Sequence, residues 1–349
     1  MEYNIDILVA GCNTSCQHCY VNGGYEKSMS FENYQKCIQI LKPVFEKLNK
    51  TCSFTLDNEV YNHPQALEIL QLTHQTVHDY YFHHGSTTGI ALMNRKDKDD
   101  ILSLLIKHDT PYAGLTFHGG KKHHNEIVHN EQGFDTLKDT AIYLHEKGIK
   151  VFLSFMISQY LINDLAAIDQ LLHEIPYDSF YFVIPNFMPT TRMMKYQKIR
   201  LTYEDYSILF DFMDQRHIDS AQIKQQVASF NEKNILASLN EDYLKKFFAN
   251  EPKQAFFKVD QQLNFYYGNT GAVSQRIGNL KEMTSEEILD AILQAKPNYY
   301  DSSLIHLRNY SHDQLFHLPP SDKNYVYPDI ASCLYYLILK QNPVIGENQ

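Results

Sequence analysis

Short apolar runs alternate with longer amphipathic stretches over residues 1–185 of the chain. Each short run has the apolar or alternating pattern of a strand, and each longer stretch repeats apolar residues at helical spacing. The pattern predicts six strands, at residues 3–10, 52–56, 79–84, 112–117, 150–156 and 180–184. It predicts helices between them at about residues 31–50, 66–75, 96–107 and 134–147, and a last one that begins at an Asn163 cap and ends near Glu174. Such alternation predicts a parallel sheet with helices outside it.

The second half of the chain has a different pattern. Residues 201–250 are mostly polar at helical spacing, which predicts exposed helices. Residues 256–266 contain two apolar runs separated by Asp260-Gln261, which predicts a hairpin with its turn at that pair. We therefore expect a strand–helix part, then a helical segment, then a small α+β part.

Composition and charge argue against several classes of protein. The chain has 349 residues, enough for one large domain and a smaller one, and its formal net charge is −10. Nucleic-acid binding needs clustered Lys and Arg, and the nearest such feature is Lys121-Lys122. No apolar run reaches the roughly 18 residues of a membrane span, and the N-terminus has no signal-peptide pattern. We expect a cytoplasmic protein that binds neither nucleic acid nor a membrane.

Three of the six cysteines lie within eight residues, directly after the first predicted strand. They are Cys12, Cys16 and Cys19, and the spacing Cys-x3-Cys-x2-Cys is typical of metal ligands. Thiolates suit zinc or the irons of an iron–sulfur cluster. A structural zinc normally has four protein ligands, and no close-set cysteine pair elsewhere supplies the fourth. Three thiolates leave one iron of a four-iron cluster open. A zinc loop or a chance grouping is the alternative.

This cysteine loop after a first strand resembles that of the radical S-adenosylmethionine (radical SAM) superfamily. In that family the open iron binds the amino and carboxylate groups of SAM, and reductive cleavage gives a 5′-deoxyadenosyl radical. The resemblance implies a [4Fe-4S] cluster on Cys12, Cys16 and Cys19, SAM as second cofactor, and an external electron donor such as flavodoxin or ferredoxin. It implies an α/β fold, a partial (β/α)6 TIM-type barrel. His18 stands before the third cysteine, at a usually aromatic position near the adenine.

The resemblance continues at the ends of the later strands. Asp57-Asn58-Glu59 stands where the family has Gly-Gly-Glu, which implies that Glu59 accepts a hydrogen bond from the SAM ammonium and that Asn58 can bond the ligand. The missing glycines are a departure from the family, and a polar turn is the alternative. Further implied SAM contacts are Thr88, in a loop similar to the family's Thr-Asn-Gly, Thr116, near the ribose, and Ser154, at the end of the fifth strand.

Residues 118–129 are rich in histidine and polar residues. Imidazole is a common metal ligand, but the spacing fits no His-Glu-x-x-His helix motif. We therefore predict a solvated loop or substrate lid here in preference to a second metal site.

Three later segments resemble the SPASM/twitch branch of peptide-modifying radical SAM enzymes. They are residues 185–192, 201–206 and 256–282, but the auxiliary-cluster cysteines of that branch are missing. Cys333 is the one cysteine beyond residue 52 and lies on an apolar helical stripe, which favours a core residue over a hydrogen-atom donor. The resemblance implies a partial barrel at 1–190, a helical insertion or cap at 191–250, a C-terminal α+β twitch-like extension at 251–340 and a disordered tail at 341–349.

The expected function is reductive cleavage of SAM and hydrogen abstraction from a substrate, which the branch implies to be a peptide undergoing maturation. Only eleven residues precede Cys12, so a precursor-docking partner would be a separate protein. The alternatives are a radical SAM enzyme acting on a sugar-like or nucleoside small molecule, and a non-catalytic iron–sulfur sensor.

Overall fold

The structure is a computed structural model that describes residues 1–19, 23–24, 28–77, 82–83, 86–108, 112–187, 191–249, 253–268, 274–296 and 307–341. Its first six strands are β1 (Glu2–Ala10), β2 (Cys52–Asn58), β3 (Phe82–His83), β4 (Tyr112–Phe117), β5 (Lys150–Met156) and β6 (Ser179–Val183). The predicted strands are found at these places, except that the ends of the third, residues 79–81 and 84, fall outside the described residues.

The six strands are parallel and follow one another in sequential order. β1 pairs with β2 and β2 with β3, while β4 pairs with β5 and β5 with β6. A parallel bridge between Ser86 and Gly114 joins the two groups, and the Thr87 N–H donates to the Gly114 carbonyl at 3.0 Å. This order is that of an open barrel, so the predicted fold class is confirmed.

Helices pack between and outside these strands. They are α1 (Phe31–Leu48), α2 (Ala66–Thr76), α3 (Ile90–Met93), α4 (Lys98–Lys107), α5 (Lys121–Val128), α6 (Gly133–Glu146), α7 (Gln159–Asn163) and α8 (Leu165–Glu174). α1 begins where predicted, because the Ser30 hydroxyl accepts from the Asn33 N–H at 3.1 Å and caps the helix. Its apolar face is buried and includes Cys37, which is therefore a core residue.

Two predictions about local structure are wrong. The histidine-rich stretch is not a loop: residues 121–128 form α5, and His118 and His124 are buried. Asn163 does not cap the helix that ends at Glu174, because it is the last residue of α7 and α8 begins two residues later. In both places, contacts with neighbouring elements outweigh the local preference of polar side chains for loops and caps.

The second half contains the predicted helices and hairpin. The helices are α9 (Thr191–Tyr196), α10 (Tyr206–Gln215), α11 (Ala221–Ser229), α12 (Glu232–Ser238), α13 (Glu241–Ala249), α14 (Ser285–Leu293), α15 (His312–Phe316) and α16 (Ile330–Gln341). The strands are β7 (Gln254–Val259), β8 (Asn264–Tyr267) and β9 (Gln275–Asn279), which pair antiparallel in order. The hairpin turns at residues 260–263, as the sequence predicted.

β7 joins this hairpin to the barrel. It pairs parallel with β1 on the side opposite β2, with Ile5 beside Phe257. The sheet order is β3-β2-β1-β7-β8-β9, so β1 is an interior strand. The proposed division at residues 190 and 250 stays a prediction, and residues 342–349 of the predicted tail lie outside the described residues.

Within the described residues, two hydrophobic cores hold these elements together. The larger lies between the sheet and its helices. The second surrounds α16, where Cys333 is fully buried as predicted. Among the helices in the described ranges, none has the length and hydropathy needed to cross a membrane.

Candidate active site

The cysteine loop lies at the carboxyl end of β1, and its backbone is tied back on itself. The Cys12 N–H donates to the Gly24 carbonyl at 2.7 Å, and the Cys19 N–H donates to the Cys16 carbonyl at 3.2 Å. The Thr14 hydroxyl oxygen lies 3.2 Å from the sulfur of Cys12 and 3.3 Å from that of Cys16. The structure therefore brings the predicted thiols together at the edge of the sheet where the parallel strands end.

The environment of the thiols favours their neutral form until a cation replaces the proton. Burial raises the pKa of Cys16 to about 12 and that of Cys19 to about 11, and it also raises the pKa of Cys12. The Gly23 N–H donates to the Cys19 sulfur at 3.0 Å, which lowers that pKa in part. In the described part of the chain, no group of three or more His, Cys, Asp or Glu side chains is arranged to hold a single metal ion.

Glu59 follows β2 directly, and its carboxylate is buried among hydrogen-bond donors. The Thr87 hydroxyl lies 3.0 Å from both carboxylate oxygens, and the Thr88 N–H donates to Oε2 at 2.8 Å. Burial raises the pKa of Glu59 to about 6, and these donors oppose the rise because they stabilise the charged form. The Thr88 hydroxyl is 3.0 Å from Glu59 Oε2 and 3.0 Å from Asn13 Oδ1, so it connects the carboxylate to the cysteine loop.

The other predicted SAM contacts lie at neighbouring strand ends. Thr116 on β4 and Ser154 on β5 are direct neighbours in the parallel register, and their hydroxyl oxygens are 2.7 Å apart. Asn58 ends β2 opposite Ala10, but its side chain lies outside the described part of the structure.

Three imidazoles lie together on one side of the site. The ring of His18 is 4.1 Å from that of His118, centroid to centroid, and the ring of His118 is 5.5 Å from that of His124. Burial lowers the pKa of His18 to about 4, that of His124 to about 3, and that of His118 well below its ordinary value. All three rings are therefore neutral near pH 7. The enclosed Nδ1 atoms of His18 and His118 have no hydrogen-bond partner within the described residues.

Most of these groups line one cavity at the carboxyl end of the strands, but Cys19 and Ser154 are not part of its wall. The cavity has a volume of about 150 Å³ and is partly open to solvent. Its wall includes Cys12, Cys16, His18, Glu59, Thr88 and Thr116.

Thr87, His118 and His124 also line this cavity and were not predicted as site residues. Thr87 is adjacent to the predicted Thr88 and has the same hydroxyl chemistry, a signal that was present in the sequence. Nothing in the sequence indicated that the two histidines are buried, because their burial depends on how α5 packs.

The residues present fit an iron–sulfur cluster with SAM. Three converging thiols are the ligands that cluster irons prefer. A buried carboxylate suits an ammonium group, and two buried ring nitrogens without partners offer hydrogen bonds to a polar ligand in the same cavity.

Comparisons with known proteins agree with this geometry. Residues 7–172 match the model of the Radical SAM superfamily. No curated protein sequence matches the chain. A solved structure of anSMEcpe with bound AdoMet and the Cp18Cys peptide is similar over 99% of this chain and 98% of its own, with a TM-score of 0.57 and 15% sequence identity. Streptococcus suis SuiB bound to precursor peptide SuiA is similar over 95% of this chain and 76% of its own, with a TM-score of 0.58 and 12% identity. At these identities the structural similarity shows the fold.

Proposed function

Since residues 7–172 are a radical SAM domain and the chain is a radical SAM enzyme that uses a [4Fe-4S] cluster and SAM, we propose that its substrate is a peptide. Two solved structures that share its fold over nearly the whole chain are peptide complexes, of anSMEcpe and of SuiB. The similarity extends through the hairpin and α16, beyond the matched domain. This likeness supports a peptide over the sugar-like or nucleoside alternatives.

The proposed cofactor contacts follow from the site. Cys12, Cys16 and Cys19 hold the cluster. Glu59 accepts from the ammonium of SAM and His18 lies against its adenine. Thr116 and Ser154 supply hydroxyls toward the ribose, with Asn58 at the edge of the same site. When bound, the cluster and SAM together supply the 5′-deoxyadenosyl radical that abstracts a hydrogen atom from the substrate.

The chain's own residues bind and orient the cofactor, and they exclude water from the cavity. The Thr87 hydroxyl and the Thr88 amide hold the Glu59 carboxylate in one orientation, so its negative charge is available to a cation without rearrangement. The neutral rings of His118 and His124 close one wall of the cavity without adding charge. Such a wall protects a reactive radical from solvent.

Our proposal extends to partners and place in the cell. The electron donor is a flavodoxin or ferredoxin type of protein, and a separate protein docks the peptide. A reducing cytoplasm suits thiols that must remain free before the cluster is assembled.

The observation that carries the proposal is that Cys12, Cys16 and the buried Glu59 line one cavity. Protein reconstituted with iron and sulfide without oxygen is expected to release 5′-deoxyadenosine from SAM when a reductant is added. A Cys16→Ser variant is expected to lose this activity and part of its iron. Cys37→Ala, a change in the core of α1, is the matched control and is expected to keep its iron. A wild-type cluster that never cleaves SAM would favour the iron–sulfur sensor instead.

The substrate class is tested separately. Short peptides encoded beside the gene are expected to raise the rate of 5′-deoxyadenosine release, and deuterium from a labelled peptide is expected to appear in the product. Sugars and nucleosides at the same concentrations serve as the comparison. Transfer of deuterium from one of these and not from any peptide would replace the peptide proposal.

A further inference from the structure

Helix α5 is joined to the cysteine loop by a small set of hydrogen bonds. The Gln17 N–H donates to the Ile127 carbonyl at 2.9 Å, and the Gln17 side-chain amide donates to the Glu126 carbonyl at 3.4 Å. His129, which follows the last residue of α5, contacts the loop with its side chain. Helix α5, observed where a histidine-rich loop was predicted, therefore supports the cysteine loop directly.

Both nitrogens of the His129 ring are used in this contact. Nδ1 lies 3.0 Å from the Ser15 hydroxyl, and Nε2 lies 3.3 Å from the Gln17 side-chain nitrogen. Because the Gln17 amide donates, Nε2 accepts and Nδ1 carries the proton that it donates to Ser15. Ser15 and Gln17 are the two sequence neighbours of Cys16, so a single imidazole holds the chain on both sides of that cysteine.

The backbone of His129 has a conformation that is unfavourable for a residue with a side chain. Its φ is 54° and its ψ 42°, the left-handed conformation that ends many helices, and its N–H donates to the Asn125 carbonyl. Glycine is the usual residue at such a position, since it adopts this conformation without strain, and asparagine is the next. A strained conformation is a reason to look for a role of the side chain. Here that side chain bonds the cysteine loop.

We propose that His129 is a positioning residue for the cluster: by bonding Ser15 and Gln17, it fixes Cys16 in the place where the thiolate meets its iron. This inference rests on the proposed function, in that it takes Cys16 as a cluster ligand. His129 touches neither the cluster nor SAM and acts only through the loop.

The decisive variant is His129→Gly. Glycine relieves the left-handed backbone, so the melting temperature of the cluster-free protein is expected to stay the same or rise. The contact with the loop is lost, so iron is expected to leave the reconstituted protein about three to ten times faster, in line with one or two lost hydrogen bonds. Iron release is followed by absorbance with an iron chelator, and the reduced cluster by electron paramagnetic resonance.

Three further variants separate the contact with the cysteine loop from a general effect on α5. His129→Asn keeps a residue that tolerates this backbone and can hydrogen-bond, and it is expected to restore most of the iron retention. His123→Ala is the matched control, since His123 lies on the same helix but bonds Asp164 at 2.7 Å instead of the loop. It is expected to retain iron as the wild type does. Ser15→Ala is expected to add nothing in the His129→Gly background, because both changes remove the same bond.

The outcomes distinguish this proposal from the function on which it rests. A wild-type protein that assembles no cluster overturns the proposed function and this inference with it. A wild-type protein that holds its cluster while His129→Gly releases iron at the same rate overturns the positioning role alone. A fall in melting temperature that accompanies the iron loss of His129→Gly also overturns it, because the residue would then serve the fold.

Discussion

At the scale of single residues, the site balances burial of a charge against donors that stabilise it. Glu59 is almost fully buried, and burial alone would keep its carboxyl protonated. The hydroxyl of Thr87 and the amide of Thr88 oppose this. The result is a pKa of about 6, above the ordinary 4.5. This group therefore favours the folded state most below pH 4.5, and that contribution is lost as the pH rises through 6. A bound ammonium would compensate for the charged form.

A Thr87→Val variant tests this balance. Removing the hydroxyl withdraws a donor from the charged form, so the pKa of Glu59 is expected to rise further. Under the proposed contact between SAM and the ionised carboxylate of Glu59, SAM affinity should fall as the pH drops through about 6 in the wild type. In the variant the fall is expected about one pH unit higher, the size of one hydrogen bond to a charged group. The measurement is the dissociation constant of SAM, determined from pH 5 to 8 on the reconstituted protein.

Thr87→Ser is the control for this prediction, since it keeps the hydroxyl and removes only a methyl group. It is expected to follow the wild-type profile. If the valine variant shows the same midpoint as the wild type, the carboxylate of Glu59 does not govern SAM affinity.

The sequence indicated part of this site. The cysteine spacing and the acid after the second strand placed Cys12, Cys16 and Glu59 at strand ends, and the structure brings them to one cavity. His118 and His124 were expected to be solvated, and they are buried. Local patterns favour exposure for polar residues, whereas burial of these two rings results from packing between distant segments.

At the scale of elements, the start of α3 depends on a glycine. Gly89 has φ 75°, and a Cβ added there would lie 2.9 Å from the Cβ of Thr140, which is fully buried on α6. The residue also follows Thr87 and Thr88, whose groups bond Glu59. The close approach of α3 to α6 therefore holds these two threonines in place.

A Gly89→Ala change is expected to destabilise the protein by about 2–5 kcal/mol, the sum of left-handed backbone strain and overpacking against the buried Thr140 side chain. Gly148→Ala is the matched control, since Gly148 has φ 82° but nothing within 4 Å of an added Cβ. It is expected to cost about 1–2 kcal/mol, from backbone strain alone. The free energy of unfolding of each variant is measured by urea denaturation. An equal loss of stability in the two variants would mean that α6 adjusts to the methyl group.

Elements with strong periodicity were predicted well, and those determined by context were not. β5 was predicted at its observed bounds, because its apolar pattern and flanking signals agree. α5 was missed because its sequence, Lys-Lys-His-His-Asn-Glu, is polar and starts after two glycines. Its position is determined by the cysteine loop and by the packing of Ile127 and Val128, which a local pattern does not contain.

At the scale of the whole molecule, the hairpin that follows residue 250 extends the sheet on the free side of β1. β7 pairs parallel with β1 over six residues, 2–7 on β1 and 254–259 on β7. The hairpin itself was predicted, but its partner was not, because pairing between strands about 250 residues apart leaves no local signal. Since β1 leads directly into the cysteine loop, the C-terminal part supports the site from the opposite edge of that strand.

A fragment that ends at residue 249 is therefore expected to be insoluble and to lack iron, although it includes the whole matched domain. It leaves one edge of β1 without a partner and exposes the core that Phe257 covers, and such edges promote aggregation. Co-expression of residues 250–349 is expected to restore soluble protein and its iron, as measured by yield and iron content. Fragment 250–349 with Phe257→Asp is expected not to restore soluble protein, because the substitution would bury an unpaired charge. A soluble fragment 1–249 with the full iron content would show that β1 holds the cysteine loop without β7.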